Sequence, residues 1–357
     1  MSTTTSLLLN KILNDALERK ATDIHLTVGN YPVYRINGQL VTATQDQILT
    51  PDVLNTVAES FLSPAENEAL QRQREVATVY TWADRARFRA QVFYQRGYMS
   101  LSLRVIPPRL LLPKELQISP MLIAAMAKTK GLIFISGPYN SGRTTTAASL
   151  VEYVNQTQSR HILTLEQPIE YLLVNNKSVI HQRQVGTDVP SFIDGLHEAV
   201  DADVDVIVVA HVNEAAEEVA ILQAVEGVKL VLVVLNGLSI STTLESFMGM
   251  IPPSEQQWAK DIISEHLLIM TNQRLVPKSD NSLQLVSGIL TMNGAVRNVL
   301  RDGNFFQLSN VMMTSRQDGM ITLDRSLADL VKAGILSLDQ ASKYAVDPNG
   351  LQLMVKQ

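Results

Sequence analysis

Apolar residues recur at helical spacing from the start of the chain: Leu8, Ile12 and Leu17 define one face, and Ser6 is placed to cap the helix that carries them. Short segments of alternating polarity follow at Thr22–Val28, Val33–Ile36 and Gln39–Thr42. The pair Asn37-Gly38 between the last two suits a two-residue hairpin turn, whose central positions take positive φ. Helices are predicted over Pro51–Phe61 and after Ser63-Pro64, and strands resume at Ala77–Trp82, Arg87–Tyr94 and Met99–Ile106. Residues 1–106 thus read as an α+β domain. Pro107-Pro108 and Pro113 punctuate a linker over 107–118, after which Ser119-Pro120 begins a helix that Gly131 ends.

From Gly131 the pattern changes to strands alternating with helices. Strands are predicted at Leu132–Ser136, His161–Leu165, Asp205–Ala210 and Leu230–Leu235. The last two carry the unbroken runs VIVVA and LVLVVL that strands covered on both faces require. Helices over Thr144–Asn155, Phe192–Val200 and Glu214–Val225 lie between them, so residues 119–357 read as a second, α/β domain with a mainly parallel sheet. Beyond Asn236, helices are expected near Thr242–Met250 and Glu255–Met270. Irregular strands follow over Arg274–Leu290, then short helical stretches at Ala295–Arg301, Leu323–Ala333 and Leu338–Tyr344.

Composition narrows the functional classes. The 357 residues are enough for about two domains, and 46% hydrophobic against 18% charged residues leaves apolar surface for subunit interfaces. A net charge of −5 argues against nucleic acid as a partner, because neutralising phosphates needs a basic field. With no cysteine there is no thiolate nucleophile, disulfide or cysteine zinc site. No run reaches the length of a spanning helix and the N-terminus lacks the apolar core of a signal peptide. The expectation is a cytoplasmic chain without direct membrane insertion.

The chemistry concentrates in GLIFISGPYNSGRTTT, residues 131–146, where a buried strand pattern runs into Gly137-x-x-x-x-Gly142-Arg143-Thr144. Such glycines let backbone N–H groups turn inward around a polyphosphate, and the dipole of the following helix adds to the anion's stabilisation. The candidate nucleotide-binding set is Gly137, Pro138, Tyr139, Asn140, Ser141, Gly142, Arg143, Thr144 and Thr145. A nucleotide's polyphosphate is the expected ligand, with Thr144 placed to offer its hydroxyl to Mg2+. An ordinary glycine-rich strand-to-helix turn is the competing reading of this stretch alone. The cluster Asp201, Asp203 and Asp205 reads as a solvated turn rather than a metal site.

Several separated segments, in order along nearly the whole chain, resemble the type IV pilus retraction ATPases, the PilT/PilU-like group of secretion-type hexameric ATPases. ATDIHLTVGNYPVYRINGQL and RFRAQVFYQRGYMSLSLRVIP are similar to the opening and closing of the family's PAS-like N-terminal domain. HILTLEQPIEY stands where the family has its Asp box, DVDVIVVAH where it has its Walker B strand, and LVLVVLNG where it has its His box. AVRNVLRD, with Ala295, Arg297, Asn298 and Arg301, is similar to a motif of retraction rather than assembly motors, and DGMITLDRSLADLVKAGIL to the C-terminal helical tail. The resemblance implies a PAS-like domain followed by a RecA-like P-loop ATPase domain and a homo- or hetero-hexameric ring. It further implies contact with the inner-membrane pilus platform protein, at the cytoplasmic side of the pilus base. It makes Arg89, Arg96 and Arg104 candidate sensors of a nucleotide's γ-phosphate.

The departures from the family pattern fall together on the catalytic shell. Arg143 replaces the loop's lysine, and a planar guanidinium is not a compact point charge. His211 replaces the Walker B glutamate, Gln167 the Asp-box aspartate and Asn236 the His-box histidine, leaving Glu166 as the candidate base. Tyr139-Asn140 replaces the usual Thr-Gly. The leading reading is an ATP-binding ring subunit with impaired or absent hydrolysis, acting as accessory or regulator of an active paralogue. An active retraction ATPase with a rebuilt site and a scaffold that no longer binds nucleotide are the alternatives.

Overall fold

Apolar positions two apart in the first third of the chain build a sheet with one buried face, and unbroken apolar runs later build one covered on both. The computed structural model describes residues 3–356 apart from 37, 84, 213, 214, 228, 279 and 281. The chain divides into two units, 1–109 together with 167–172, and 110–166 together with 173–357.

In the first unit, helix α1 (Thr3–Glu18) precedes strands β1 (Asp23–Thr27), β2 (Val33–Ile36) and β3 (Gln39–Thr42). Helices α2 (Pro51–Phe61) and α3 (Pro64–Gln73) follow, then β4 (Glu75–Trp82), β5 (Ala86–Gln95) and β6 (Tyr98–Ile106). The strands form an antiparallel sheet in the order β3-β2-β1-β6-β5-β4. Ile24, Leu26, Phe88 and Leu101 from the sheet are buried in one core with Leu9 and Leu13 of α1 and Leu54 of α2. Tyr34 donates its hydroxyl to the Ile12 carbonyl at 3.3 Å. Thr50 caps α2, and Ser63 with Glu66 closes a capping box on α3, satisfying N–H groups that a helix start leaves unpaired. Ser6 does not cap the first helix as expected; α1 begins three residues earlier. The β2–β3 register, Ile36 opposite Gln39, is that of a two-residue hairpin, while Asn37 lies outside the described residues.

The second unit starts with α4 (Pro120–Ala125), capped by Ser119. This helix ends well before Gly131, which instead opens β7 (Gly131–Gly137) at φ +129. Next come α5 (Arg143–Thr157), β8 (His161–Glu166), β9 (Val179–Gln184), α6 (Phe192–Asp201), β10 (Val206–Val209), α7 (Ala215–Glu226) and β11 (Leu230–Asn236). The predicted start of α7 at Glu214 lies outside the described residues. Then follow α8 (Ile240–Met250), α9 (Gln256–His266), β12 (Leu267–Pro277) and β13 (Leu283–Thr291). The chain closes with α10 (Gly294–Asp302), α11 (Leu308–Thr314), α12 (Leu323–Lys332), α13 (Leu338–Ser342) and α14 (Pro348–Lys356).

The sheet order is β13-β12-β7-β11-β10-β8-β9, parallel except for the β12–β13 pair. Each face carries its own core. Leu132, Phe134 and Val233 pack with α6, α7, α8 and α9 on one side; Ile133, Ile135 and Leu232 pack with α4 and α5 on the other. The expected helix over Glu255–Met270 stops at His266: Leu267-Leu268-Ile269-Met270 is an apolar run without helical polarity, and the sheet takes it as the start of β12. The stretch expected to be irregular, Arg274–Leu290, belongs largely to the regular β12–β13 hairpin.

Candidate functional site

The phosphate-loop residues leave the carboxyl end of β7 and enter α5 within five residues. Gly142 adopts φ +83 and Asn140 φ +65, both left-handed, so the curl needs residues that tolerate that region. At Gly137 a Cβ would stand 2.4 Å from Ser141 Oγ and 2.6 Å from the Gln273 carbonyl, so no side chain fits. Ser141 is buried and its Oγ has no hydrogen-bond partner. An orphaned hydroxyl inside a loop at the N-terminus of a 15-residue helix is the feature an anion would satisfy. Tyr139 is exposed, and Thr144 and Thr145 are half-buried in the first turn of α5. Arg143 folds back: its guanidinium donates to the Leu235 carbonyl at 2.5 Å, and burial lowers its pKa from the ordinary value.

The parallel pairing brings four of the singled-out positions to the same edge. Gly137 pairs with Asn236 at the end of β11, and the Gly237 amide donates to the Gly137 carbonyl at 3.2 Å. His211, half-buried, follows β10 directly after Ala210, whose amide donates to the Leu165 carbonyl at 3.0 Å. Glu166 closes β8 and is buried; its Oε1 accepts from Thr164 Oγ1 at 2.7 Å and Gln182 Nε2 at 3.0 Å. In sheet order Glu166 stands three strand spacings, roughly 14 Å, from Gly137. Ligands of open α/β sheets bind beyond the carboxyl ends of such strands.

The remaining candidates belong to other elements. Arg89 pairs with Glu170 at 2.5 Å within the first unit, and Arg104, directly opposite Arg89 in the β5–β6 ladder, pairs with Asp23 at 3.0 Å. Arg96 occupies the β5–β6 turn at φ +51. In the second unit Ala295, Arg297, Asn298 and Arg301 form the exposed face of α10, whose Val296, Val299 and Leu300 are buried. Arg297 Nε donates to the Ser264 carbonyl at 3.1 Å and Arg301 pairs with Glu265 at 3.3 Å, both on α9. Asp205 accepts from the His161 amide at 2.8 Å. Among the described residues no group of three or more His, Cys, Asp or Glu is arranged to hold a metal ion.

Sequence reading missed the polar segment of β12. Ser136 Oγ donates to the Thr271 carbonyl at 2.8 Å, and Asn272, Gln273 and Arg274 reach the loops that follow β7 and β11. The signal was present: TNQR interrupts the apolar run LLIM-TNQR-LV, and polar side chains inside a central strand must have partners.

A glycine-rich loop between a central parallel strand and its helix, with polar residues on neighbouring strand ends, defines a P-loop nucleotide-binding fold. The chain belongs to the type II/IV secretion system protein family, whose profile matches residues 2–303, and within it to the PilT/PilU-like pilus retraction ATPases. It is 30% identical to a twitching motility protein of Neisseria gonorrhoeae over 88% of this chain and 84% of that protein. It is 27% identical to the type IV pilus retraction ATPase PilT of Pseudomonas aeruginosa, over 95% of this chain and 98% of that one. Its fold superposes on a crystal structure of the pilus retraction motor PilT with bound ADP at a TM-score of 0.82. The two are 33% identical, covering 96% and 98% of the two chains. Among the described residues no helix is long and apolar enough to cross a membrane.

Proposed function

We propose that this chain is an ATP-binding ring subunit of a type IV pilus retraction machine, with weak or absent hydrolysis, serving an active paralogue as accessory or regulator. The observation that carries the nucleotide half is the orphaned Ser141 hydroxyl inside a loop that closes against Gly137. Gly137–Thr145 would hold the phosphates and Thr144 the Mg2+; bound ATP supplies a transferable phosphoryl group. The structural relative carries ADP, which supports nucleotide binding by this chain.

The catalytic half rests on what stands at the strand ends. An in-line attack on phosphorus needs a group to orient water and charge to stabilise the transition state. Here β10 leads to His211 and β11 ends in Asn236, neither of which supplies a carboxylate, and Glu166, the buried carboxylate that closes β8, already accepts two hydrogen bonds. Arg143 already gives a guanidinium N–H to the Leu235 carbonyl, which anchors the side chain toward β11. Losses at such groups reach orders of magnitude in rate and are not additive. The pilus half of the reading rests on the family and on the exposed Ala295, Arg297, Asn298 and Arg301 of α10, a surface offered to the pilus machinery. Cytoplasmic location, a hexamer shared with an active retraction ATPase and docking on the inner-membrane platform protein belong to the same proposal.

The test is equilibrium binding of a fluorescent ATP analogue with Mg2+, together with phosphate release from the purified chain alone and mixed with an intact paralogue. Binding that Gly137→Ala abolishes, with phosphate release far below that of the paralogue, is the expected result. Turnover matching the paralogue and lost in Glu166→Gln overturns the impaired-site reading. Absence of binding overturns the nucleotide reading as a whole.

A further inference from the structure

Three consecutive polar side chains buried in a central strand are costly unless every one is used. Asn272, Gln273 and Arg274 of β12 are only 1%, 1% and 7% exposed. Side chains alternate along a strand, so Gln273 serves one face of the sheet and its two neighbours the other. The hydrogen bonds divide accordingly. On the α5 face, Gln273 Nε2 donates to the Ser141 carbonyl at 2.8 Å and to Thr146 Oγ1 at 3.1 Å, one in the phosphate loop and one in the first turn of its helix. On the opposite face, Asn272 Nδ2 donates to Ser136 Oγ at 2.9 Å and to the Gly237 carbonyl at 3.2 Å. The Arg274 guanidinium donates to Asn272 Oδ1 and the Gln273 carbonyl, each at 2.9 Å, and to the Leu238 carbonyl.

One tripeptide therefore holds two loops that the sheet places side by side: the phosphate loop after β7 and the turn 237–239 after β11. Two further bonds tie the flanks of these loops together. The Gly237 amide donates to the Gly137 carbonyl at 3.2 Å, and Arg143 of α5 donates to the Leu235 carbonyl at 2.5 Å. We infer that Asn272, Gln273 and Arg274 are positioning residues that couple the two loops, so that phosphates seated in the first also quieten the second. The inference rests on the nucleotide-binding reading above and adds to it a route from the loop to Asn236 and the start of α8. An anion that draws Ser141 and the loop amides into hydrogen bonds reduces local opening of the loop. The shared clasp passes that reduction to 237–239. Arginine suits the task because its planar fork meets three oxygens at once, which a lysine ammonium on a flexible stem does not reproduce.

Hydrogen exchange of the full chain, with and without a non-hydrolysable ATP analogue and Mg2+, tests this. The wild type is expected to slow both in 137–146 and in 236–243. In Arg274→Lys the slowing in 137–146 remains while that in 236–243 falls by roughly tenfold, and Gln273→Met weakens analogue affinity by roughly tenfold through the unpaired Ser141 carbonyl. Slowing confined to 137–146 in the wild type overturns the coupling and leaves nucleotide binding standing. No slowing anywhere overturns the binding reading and the coupling with it. If Arg274→Lys raises exchange equally in both segments with or without the analogue, the residue is merely structural, and the coupling also fails.

Discussion

Glu218 sits on α7 next to Ala220, Ile221 and Leu222, all buried, and is itself only 2% exposed, with its Oε2 lacking a hydrogen-bond partner. Burial, with Glu217 adding its charge, pushes its pKa up to about 8 from the ordinary 4.5. Between those two values the folded chain keeps a proton that the unfolded chain has released, so stability falls as pH rises across the window and levels off above it. Glu218→Met removes the titration at similar volume. It is expected to stabilise the protein by roughly 2–4 kcal/mol at pH 9 and to have little effect at pH 4, measured by urea unfolding at both. An equal gain at the two pH values would trace the effect to packing instead. Legibility at this scale was uneven. The exchange of lysine for Arg143 was plain in the sequence, but its bond to the Leu235 carbonyl depends on a strand 92 residues away. The orphaned Ser141 hydroxyl likewise exists only because Gly137 and β12 close around it.

Elements whose ends are set by local chemistry were readable from the chain. Thr50-Pro51 and Ser63-Pro64 carry their own caps, and α2, β2 and β3 have the predicted bounds. The turn entering α8 is set the same way: Ser239 Oγ accepts from the Thr242 amide, and Thr242 Oγ1 accepts from the Ser239 amide, both at 3.2 Å. Ser239→Ala is therefore expected to cost about 1 kcal/mol of stability in chemical denaturation. A cost near zero would mean that the clasp from Asn272 and Arg274 alone holds the turn. Where tertiary pairing decides, local pattern failed. Leu267–Met270 reads equally as helix or strand until β7 is beside it, and β9, VIHQRQ, has too few apolar residues to announce an edge strand. The three polar residues of β12 went unread for the same reason, since their partners come from loops remote in sequence.

At the scale of the whole molecule, large apolar side chains stand in water in both units: Leu40 is 57% exposed, Leu172 67%, Val174 80%, Phe306 66% and Leu353 63%. Single exposed apolar residues are ordinary, but a chain with 46% hydrophobic residues and a net charge of only −5 has surface suited to burial between copies. A head-to-tail contact repeated around a rotation axis closes into a ring, and it uses two different faces of each subunit. The same low charge gives no field to draw nucleic acid through such a ring. If nucleotide favours the assembled form, mass action makes the assembly depend on both protein and nucleotide concentration. Native mass spectrometry with the non-hydrolysable ATP analogue and Mg2+ is expected to show a six-copy species. On mixing with an intact paralogue, six-copy species of both chains should form. A chain that stays single at all concentrations, with analogue and with paralogue, would leave the pilus-ring reading without its assembly, whatever the phosphate loop binds.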